Sequence, residues 1–184
     1  YDISIMSREL LKHPKILKYS STYMETISEG RKAPIGLVNH NKLVRFFNGC
    51  DGLKTGFTNE AKYCISATAK QSNVRMLAII MGAPTYKIRN SDASMLMNYG
   101  FSKFETKKVI VKDQNLEKIV LNKKGDKFLI AKAQEDFLVT LERGNKNIIT
   151  KKFVLKQGLK DYKKNVAIGS CEIYVDNKLC GKVN

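Results

Sequence analysis

In the run Asp51-Gly52-Leu53-Lys54-Thr55-Gly56-Phe57, a cation, a hydroxyl and a residue without a side chain follow one another. In an extended strand side chains alternate, so Lys54 and Gly56 share one face while Thr55 takes the other or twists into a cleft mouth. An ammonium there supplies positive potential for a carboxylate, and a threonine hydroxyl can donate a hydrogen bond to it. Glycine lets another backbone come close, so a peptide can lie along the strand. The chemistry these residue types suit is the capture of a peptide that ends in a carboxylate. Taken alone the tripeptide is weak evidence, because a solvated turn in so lysine-rich a chain has the same composition.

The surrounding residues carry more weight. Asn39-His40-Asn41-Lys42-Leu43 precedes the run, Ala61-Lys62-Tyr63-Cys64-Ile65-Ser66-Ala67-Thr68-Ala69 follows it, and Arg75-Met76-Leu77-Ala78-Ile79-Ile80-Met81-Gly82-Ala83 comes next. This order and spacing resemble the D-alanyl-D-alanine carboxypeptidases among the low-molecular-weight penicillin-binding proteins, in which Lys-Thr-Gly is one of three signature elements. Tyr1 to Leu11 is similar to the family helix that follows its second motif. Residues 105–184 resemble its β-rich C-terminal domain, above all Ala133 to Phe137, Arg143-Gly144 and Tyr174 to Lys178.

The resemblance implies an α+β fold. Residues 1–104 would form the back half of a penicillin-binding, β-lactamase-like transpeptidase domain, an antiparallel sheet with helices, and residues 105–184 a small all-β sandwich. It implies a serine-type carboxypeptidase of peptidoglycan stem peptides, extracytoplasmic, that binds pentapeptides ending in D-Ala-D-Ala and is trapped by β-lactams. No metal or organic cofactor is implied. Lys54, Thr55 and Gly56 would bind the terminal carboxylate and the substrate backbone. Arg89 matches by position an arginine that the family uses near that carboxylate, a task suited to a bidentate guanidinium; a solvated arginine at a helix start is the equal alternative. Relatives often end in an amphipathic anchor, which leaves room for peripheral membrane attachment through a C-terminal segment beyond Asn184.

One part of the family pattern is missing. No serine in the sequence has lysine three residues later, and none has asparagine two residues later. The nucleophile and the second motif are therefore absent, and the chain opens on Tyr1 inside an amphipathic helix. The expectation is a fragment that holds one wall of an active site and is inactive alone. A non-catalytic envelope-binding protein that keeps the fold is the alternative.

Composition narrows the field. The 184 residues contain 33 Lys and Arg against 17 Asp and Glu, a net charge of +16, with only six arginines. Codon bias in a genome poor in G and C explains the excess. Lysine spread without an arginine cluster argues against nucleic-acid binding, while a place beside an anionic cell envelope fits the charge. No apolar run is long enough to span a bilayer. Cys50, Cys64, Cys171 and Cys180 lack metal-site spacing. A hairpin turning at Asp176-Asn177 would set Cys180 opposite Ile173, diagonal to Cys171, so free buried thiols are expected.

Periodicity supplies the scaffold. Ile3, Met6 and Leu10 recur at helical spacing up to the stop at Pro14, and a short helix is predicted over Pro14 to Leu17. A turn falls at Pro34-Ile35-Gly36. Tyr63–Ala69 and Val74–Met81 pair through Gln71-Ser72-Asn73, the second reading as a central strand covered by helices because it is apolar on both faces. A helix from about Ile88 to Tyr99 ends at Gly100. Seven short apolar runs between Val109 and Val175, separated by turns such as Lys124-Gly125-Asp126, predict the β domain. Asp51 reads as ending a turn, His40 as a loop histidine, and Asn39 and Asn41 as holding loop backbone. Phe57 stands where many relatives carry histidine.

Overall fold

The structure, a computed structural model, describes residues 1–30, 32–121, 123–156 and 166–184. The chain divides into two compact units, Tyr1–Glu105 and Thr106–Asn184.

The first unit begins with helices α1 (Asp2–Leu10) and α2 (Lys15–Ser20), then strands β1 (Met24–Ile27) and β2 (Ile35–Val38), then the short helix α3 (Leu43–Phe46). Pro14 caps α2 with φ −61°, the value its ring imposes, and that helix runs on to Ser20 rather than ending at Leu17. The predicted turn at Pro34-Ile35-Gly36 lies earlier. Ile35 pairs with Ile27 and Gly36 with Thr26, so the β1–β2 connection is 28–34. Helix α1 is present, but Ile3, Met6 and Leu10 remain exposed. Its one buried residue is Ser7, whose hydroxyl lies 2.7 Å from that of Ser66.

Strands β3 (Cys50–Thr58), β4 (Lys62–Gln71) and β5 (Val74–Ala83) form an antiparallel sheet in the order β3-β4-β5. The middle strand is β4, not β5 as its two-sided apolar pattern suggested. Ile65, Ala67, Thr68 and Ala69 of β4 are buried, and β5 uses its apolar residues against α1 and helix α4 (Tyr86–Lys103). The core gathers Ile65, Ala67, Ala69, Ala78, Ala93 and Met97 with Leu43 and Cys50. Gly100 does not end α4. It is buried in the last turn, and a Cβ there would meet the Met76 sulfur at 2.6 Å. Close packing of α4 on β5, not chain termination, is the use of this glycine, and packing overrides its poor helix propensity.

Among the described residues the second unit is all β. Strand β6 (Phe104–Ile110) pairs with β9 (Phe137–Glu142), β7 (Asn115–Val120) with β8 (Phe128–Lys132), and β10 (Ile149–Leu155) with β11 (Gly169–Val175) and β12 (Lys178–Val183). The apolar runs at Ile148-Ile149 and Phe153–Leu155 belong to the single strand β10 and its entry. Ile110, Ala133, Val139, Leu141, Cys171, Ile173 and Val183 make the core. Asp176 and Asn177 turn β11 into β12 with φ of +49° and +65°, a conformation these residue types tolerate. The register then slips: Tyr174 faces Leu179 and Ile173 faces Gly181, so Cys180 sits in a bulge rather than opposite Ile173. All four cysteines are free. Cys50 and Cys171 are buried, Cys64 half-buried and Cys180 exposed, which corrects the expectation of burial for the last. Among the described residues, no helix is long and apolar enough to cross a membrane.

Candidate active site

Strand β3 is held at the end that precedes Lys54. The carboxylate of Asp51 accepts from both Nη atoms of Arg75 at 2.8 Å, and Arg75 also donates to the Thr68 hydroxyl at 3.0 Å. This fork ties β3 to β5 across β4, so Asp51 neither ends a turn nor orients Lys54. Ser20 donates to the Asp51 carbonyl at 2.6 Å. Asn41, 1% exposed, donates from Nδ2 to the Gly52 carbonyl at 3.0 Å and accepts at Oδ1 from the Leu43 amide at 3.1 Å. Asn39 in turn donates to the carbonyls of Ser20 and Thr22 and accepts from the Asn41 amide. Both asparagines hold backbone, as their positions before the strand suggested.

Beyond these anchors β3 runs along the sheet edge beside a cleft of about 770 Å³. Lys54, Thr55, Gly56 and Arg89 all line it, so residues up to 35 positions apart in sequence converge on one space. Lys54 is exposed and donates from Nζ to the Thr55 carbonyl at 2.6 Å. A Cβ at Gly56 would meet nothing within 4 Å, so the strand face is open there to a ligand's backbone. Opposite these residues on β4 stand Ile65, Cys64 and Tyr63, paired with Thr55, Gly56 and Phe57.

Arg89 reaches the cleft from the second turn of α4. Thr85 caps that helix by accepting from the Ile88 amide at 3.2 Å. The guanidinium is buried rather than solvated, with the residue 4% exposed, and its Nε and Nη2 donate to Asn90 Oδ1 at 3.1 and 2.9 Å. No carboxylate among the described residues pairs with it. Desolvation draws its pKa below the ordinary arginine value, and the nearby Cys64 and Tyr63 act in the opposite sense. A buried cation that lacks a counter-ion is a site poised for an anion.

The rest of the lining was not legible from motifs. Val38, Asn39, His40 and Lys42 come from the end of β2 and the loop after it, and Tyr63 and Tyr86 from β4 and α4. Phe57 and Tyr63 meet at a tilt of 42° with centroids 4.5 Å apart, and Tyr86 meets Tyr63 edge-on at 6.4 Å, making one wall aromatic. The pairing of Phe57 with Tyr63 follows from strand register, the one signal that points to this wall in the sequence. His40 is exposed at the rim. Among the described residues the lining has cations at Lys42, Lys54 and Arg89 and no acidic residue, and Thr55 is its one aliphatic hydroxyl. Such a cleft can bind a carboxylate and align a peptide, while the lining includes no serine to attack one.

Comparison with known proteins gives this geometry its context. Residues 1–85 match the family model described as D-alanyl-D-alanine carboxypeptidase, and residues 104–184 match that of the penicillin-binding protein 5 C-terminal domain. The D-alanyl-D-alanine carboxypeptidase DacF of Bacillus subtilis is 36% identical over 160 residues, covering 86% of this chain and 41% of the relative. Penicillin-binding protein 5 of Haemophilus influenzae superposes with a TM-score of 0.63 at 26% identity, over 94% of this chain and 50% of that one. Penicillin-binding protein 3 of Streptococcus pneumoniae shares the fold with a TM-score of 0.74 at 22% identity, over 98% and 50%. The chain thus spans half the length, or less, of these relatives. With both units matched, the chain belongs to the D-alanyl-D-alanine carboxypeptidase family of low-molecular-weight penicillin-binding proteins.

Proposed function

We propose that the first unit is the carboxylate-binding wall of a serine-type D-alanyl-D-alanine carboxypeptidase acting outside the cytoplasm on peptidoglycan stem peptides. The observation that carries this reading is Arg89, a buried guanidinium without a carboxylate partner among the described residues, lining the same acid-free cleft as Lys54 and Thr55. The terminal carboxylate of a D-Ala-D-Ala peptide would accept from Thr55 Oγ1 and lie in the field of Lys54 and Arg89. The peptide would run along the outer edge of β3, where Gly56 admits its backbone and strand amides polarise the scissile carbonyl.

The nucleophile would come from polypeptide outside these 184 residues, in keeping with the absence of Ser-x-x-Lys and Ser-x-Asn from the sequence. That serine would attack the carbonyl between the two alanines, expel D-alanine and leave an acyl-enzyme for water to hydrolyse. The chain alone would then be inactive. The same missing motifs favour one other reading, an envelope-binding protein that keeps the fold without the chemistry. D-Alanine release from an N-acylated D-Ala-D-Ala peptide separates the two. Release by the whole gene product, and none by the 184-residue chain, supports the enzyme; a folded whole product that releases none supports the binding protein.

A further inference from the structure

The β7–β8 hairpin of the second unit has a composition and an exposure that its own fold does not use. Val120 pairs with Phe128 and Lys118 with Ile130, which places these four side chains on one face of the ribbon. Val120 is 53% exposed, Phe128 48% and Ile130 44%; on the other face Ile119 and Leu129 are half-buried. Beyond the pair Val120–Phe128 the ribbon continues toward the tip, the Leu121 amide donating to the Lys127 carbonyl at 2.8 Å. The Nζ of Lys118 stands 4.2 Å from the centroid of the Phe128 ring. Residues 116–132 hold five lysines against only Glu117 and Asp126. The base of the ribbon is fixed, because the Asp113 amide donates to the Ala133 carbonyl at 2.8 Å and the Ala133 amide to the Gln114 carbonyl at 2.9 Å.

We infer that this hairpin is a docking element for an anionic lipid surface. Apolar side chains at the face of a ribbon, with lysines beside and beyond them, suit the boundary between headgroups and acyl chains. Val120, Phe128 and Ile130 enter the apolar layer. The lysine stems follow them while the ammonium groups stay with the phosphates. Lys118 already holds this arrangement, with its charge against the ring that would descend. Charge decides against a second copy of the chain as the occupant, since two such hairpins would meet lysine to lysine. A phosphate-bearing cell-wall polymer would satisfy the lysines and leave three apolar side chains in water, so it fits less of what the ribbon presents. This surface lies wholly within the second unit and does not depend on the cleft's chemistry.

The sequence contains no tryptophan, so Phe128→Trp supplies a single indole at the face in question, excited apart from the tyrosines at long wavelength. Vesicles of equal parts phosphatidylglycerol and phosphatidylcholine should blue-shift its emission, and brominated acyl chains should quench it. Pure phosphatidylcholine should do neither. Co-sedimentation of the unmodified chain with the mixed vesicles should weaken about fivefold for each of Lys123→Gln and Lys124→Gln. It should weaken about tenfold for Phe128→Ser or Val120→Ser, both half-exposed positions where circular dichroism should stay unchanged. Absence of sedimentation overturns the inference. So does sedimentation that Phe128→Ser and Val120→Ser leave unaltered, which would mean electrostatic adsorption only. Binding to a soluble glycerol-phosphate polymer of equal strength in Phe128→Ser and the parent, without any shift in the tryptophan emission, would assign the lysines to the polymer instead.

Discussion

Replacing Asn41 with alanine tests how the cleft is anchored. Asn41 is 1% exposed and joins the loop before α3 to β3, one residue before the segment Leu53–Phe57 that lines the cleft. Its amide makes both bonds at once: Nδ2 to the Gly52 carbonyl at 3.0 Å and Oδ1 from the Leu43 amide at 3.1 Å. Alanine removes both and leaves a buried N–H and a buried C=O. The Cys50 thiol also reaches the Gly52 carbonyl, weakly, at 3.6 Å. Each unsatisfied buried group costs about 1–3 kcal/mol, so the pair costs about 3 kcal/mol after partial relaxation. With a urea dependence of about 2 kcal/mol per molar, the unfolding midpoint of the first unit should fall by about 1.5 M. The assay is urea unfolding of the full chain followed by far-ultraviolet circular dichroism and tyrosine fluorescence, with the slope compared between parent and variant. Asn41→Asp keeps the acceptor for Leu43 but sets an anion against the Gly52 carbonyl, and it should lose at least as much. A midpoint within about 0.3 M of the parent for both variants would refute the view that this side chain holds the strand.

Other consequences follow from the same geometry. Arg89→Met exchanges a desolvated cation for an apolar side chain of similar reach, so thermal stability should hold or rise, while β-lactam capture by the whole gene product should weaken tenfold or more; unaltered capture would remove Arg89 from the site. The carboxylate of Asp136 is held low first by its bond to Lys108 and that of Asp176 first by the Ile148 amide. A folded-state pKa below the unfolded one gives stability that is present above about pH 4 and lost as pH falls through the folded value. Acid unfolding followed by circular dichroism should therefore retreat to higher pH in Asp176→Asn. Thiol titration of the native chain should label Cys180 quickly and Cys50 and Cys171 only on unfolding, since burial of the last two also raises their pKa values. Rapid labelling of Cys171 would contradict the core of the second unit.

The parts of the fold legible in the sequence were those fixed by local chemistry. Two apolar runs separated by a short polar turn announce β4 and β5, and Asp176-Asn177 announces the turn between β11 and β12 because these residues accept positive φ. Non-local packing was the harder part. Apolar residues on both faces of β5 suggested a central strand covered by helices; α1 and α4 supply that cover, while among the described strands β5 pairs only with β4. Gly100 suggested a helix end, and only the Met76 sulfur lying over it explains why the helix continues. The Cys180 bulge shifts a register that the turn alone would have fixed differently. In the cleft, Lys54, Thr55 and Gly56 are contiguous and carry a recognisable order of functions. Arg89 was marked only by resemblance, because nothing local distinguishes a buried arginine from a solvated one. Tyr63 and Tyr86 enter through pairing and helix placement, and the fork from Arg75 to Asp51 spans 24 positions, so no spacing rule reveals it.

Intact-mass spectrometry after incubation with penicillin is the direct test of the cleft's assignment. The whole gene product should gain the mass of one β-lactam, with the adduct on a serine outside these 184 residues, and the 184-residue chain should gain none. A folded whole product that stays unmodified, or an adduct on the 184-residue chain alone, would contradict the assignment of this cleft as one wall of a penicillin-binding active site.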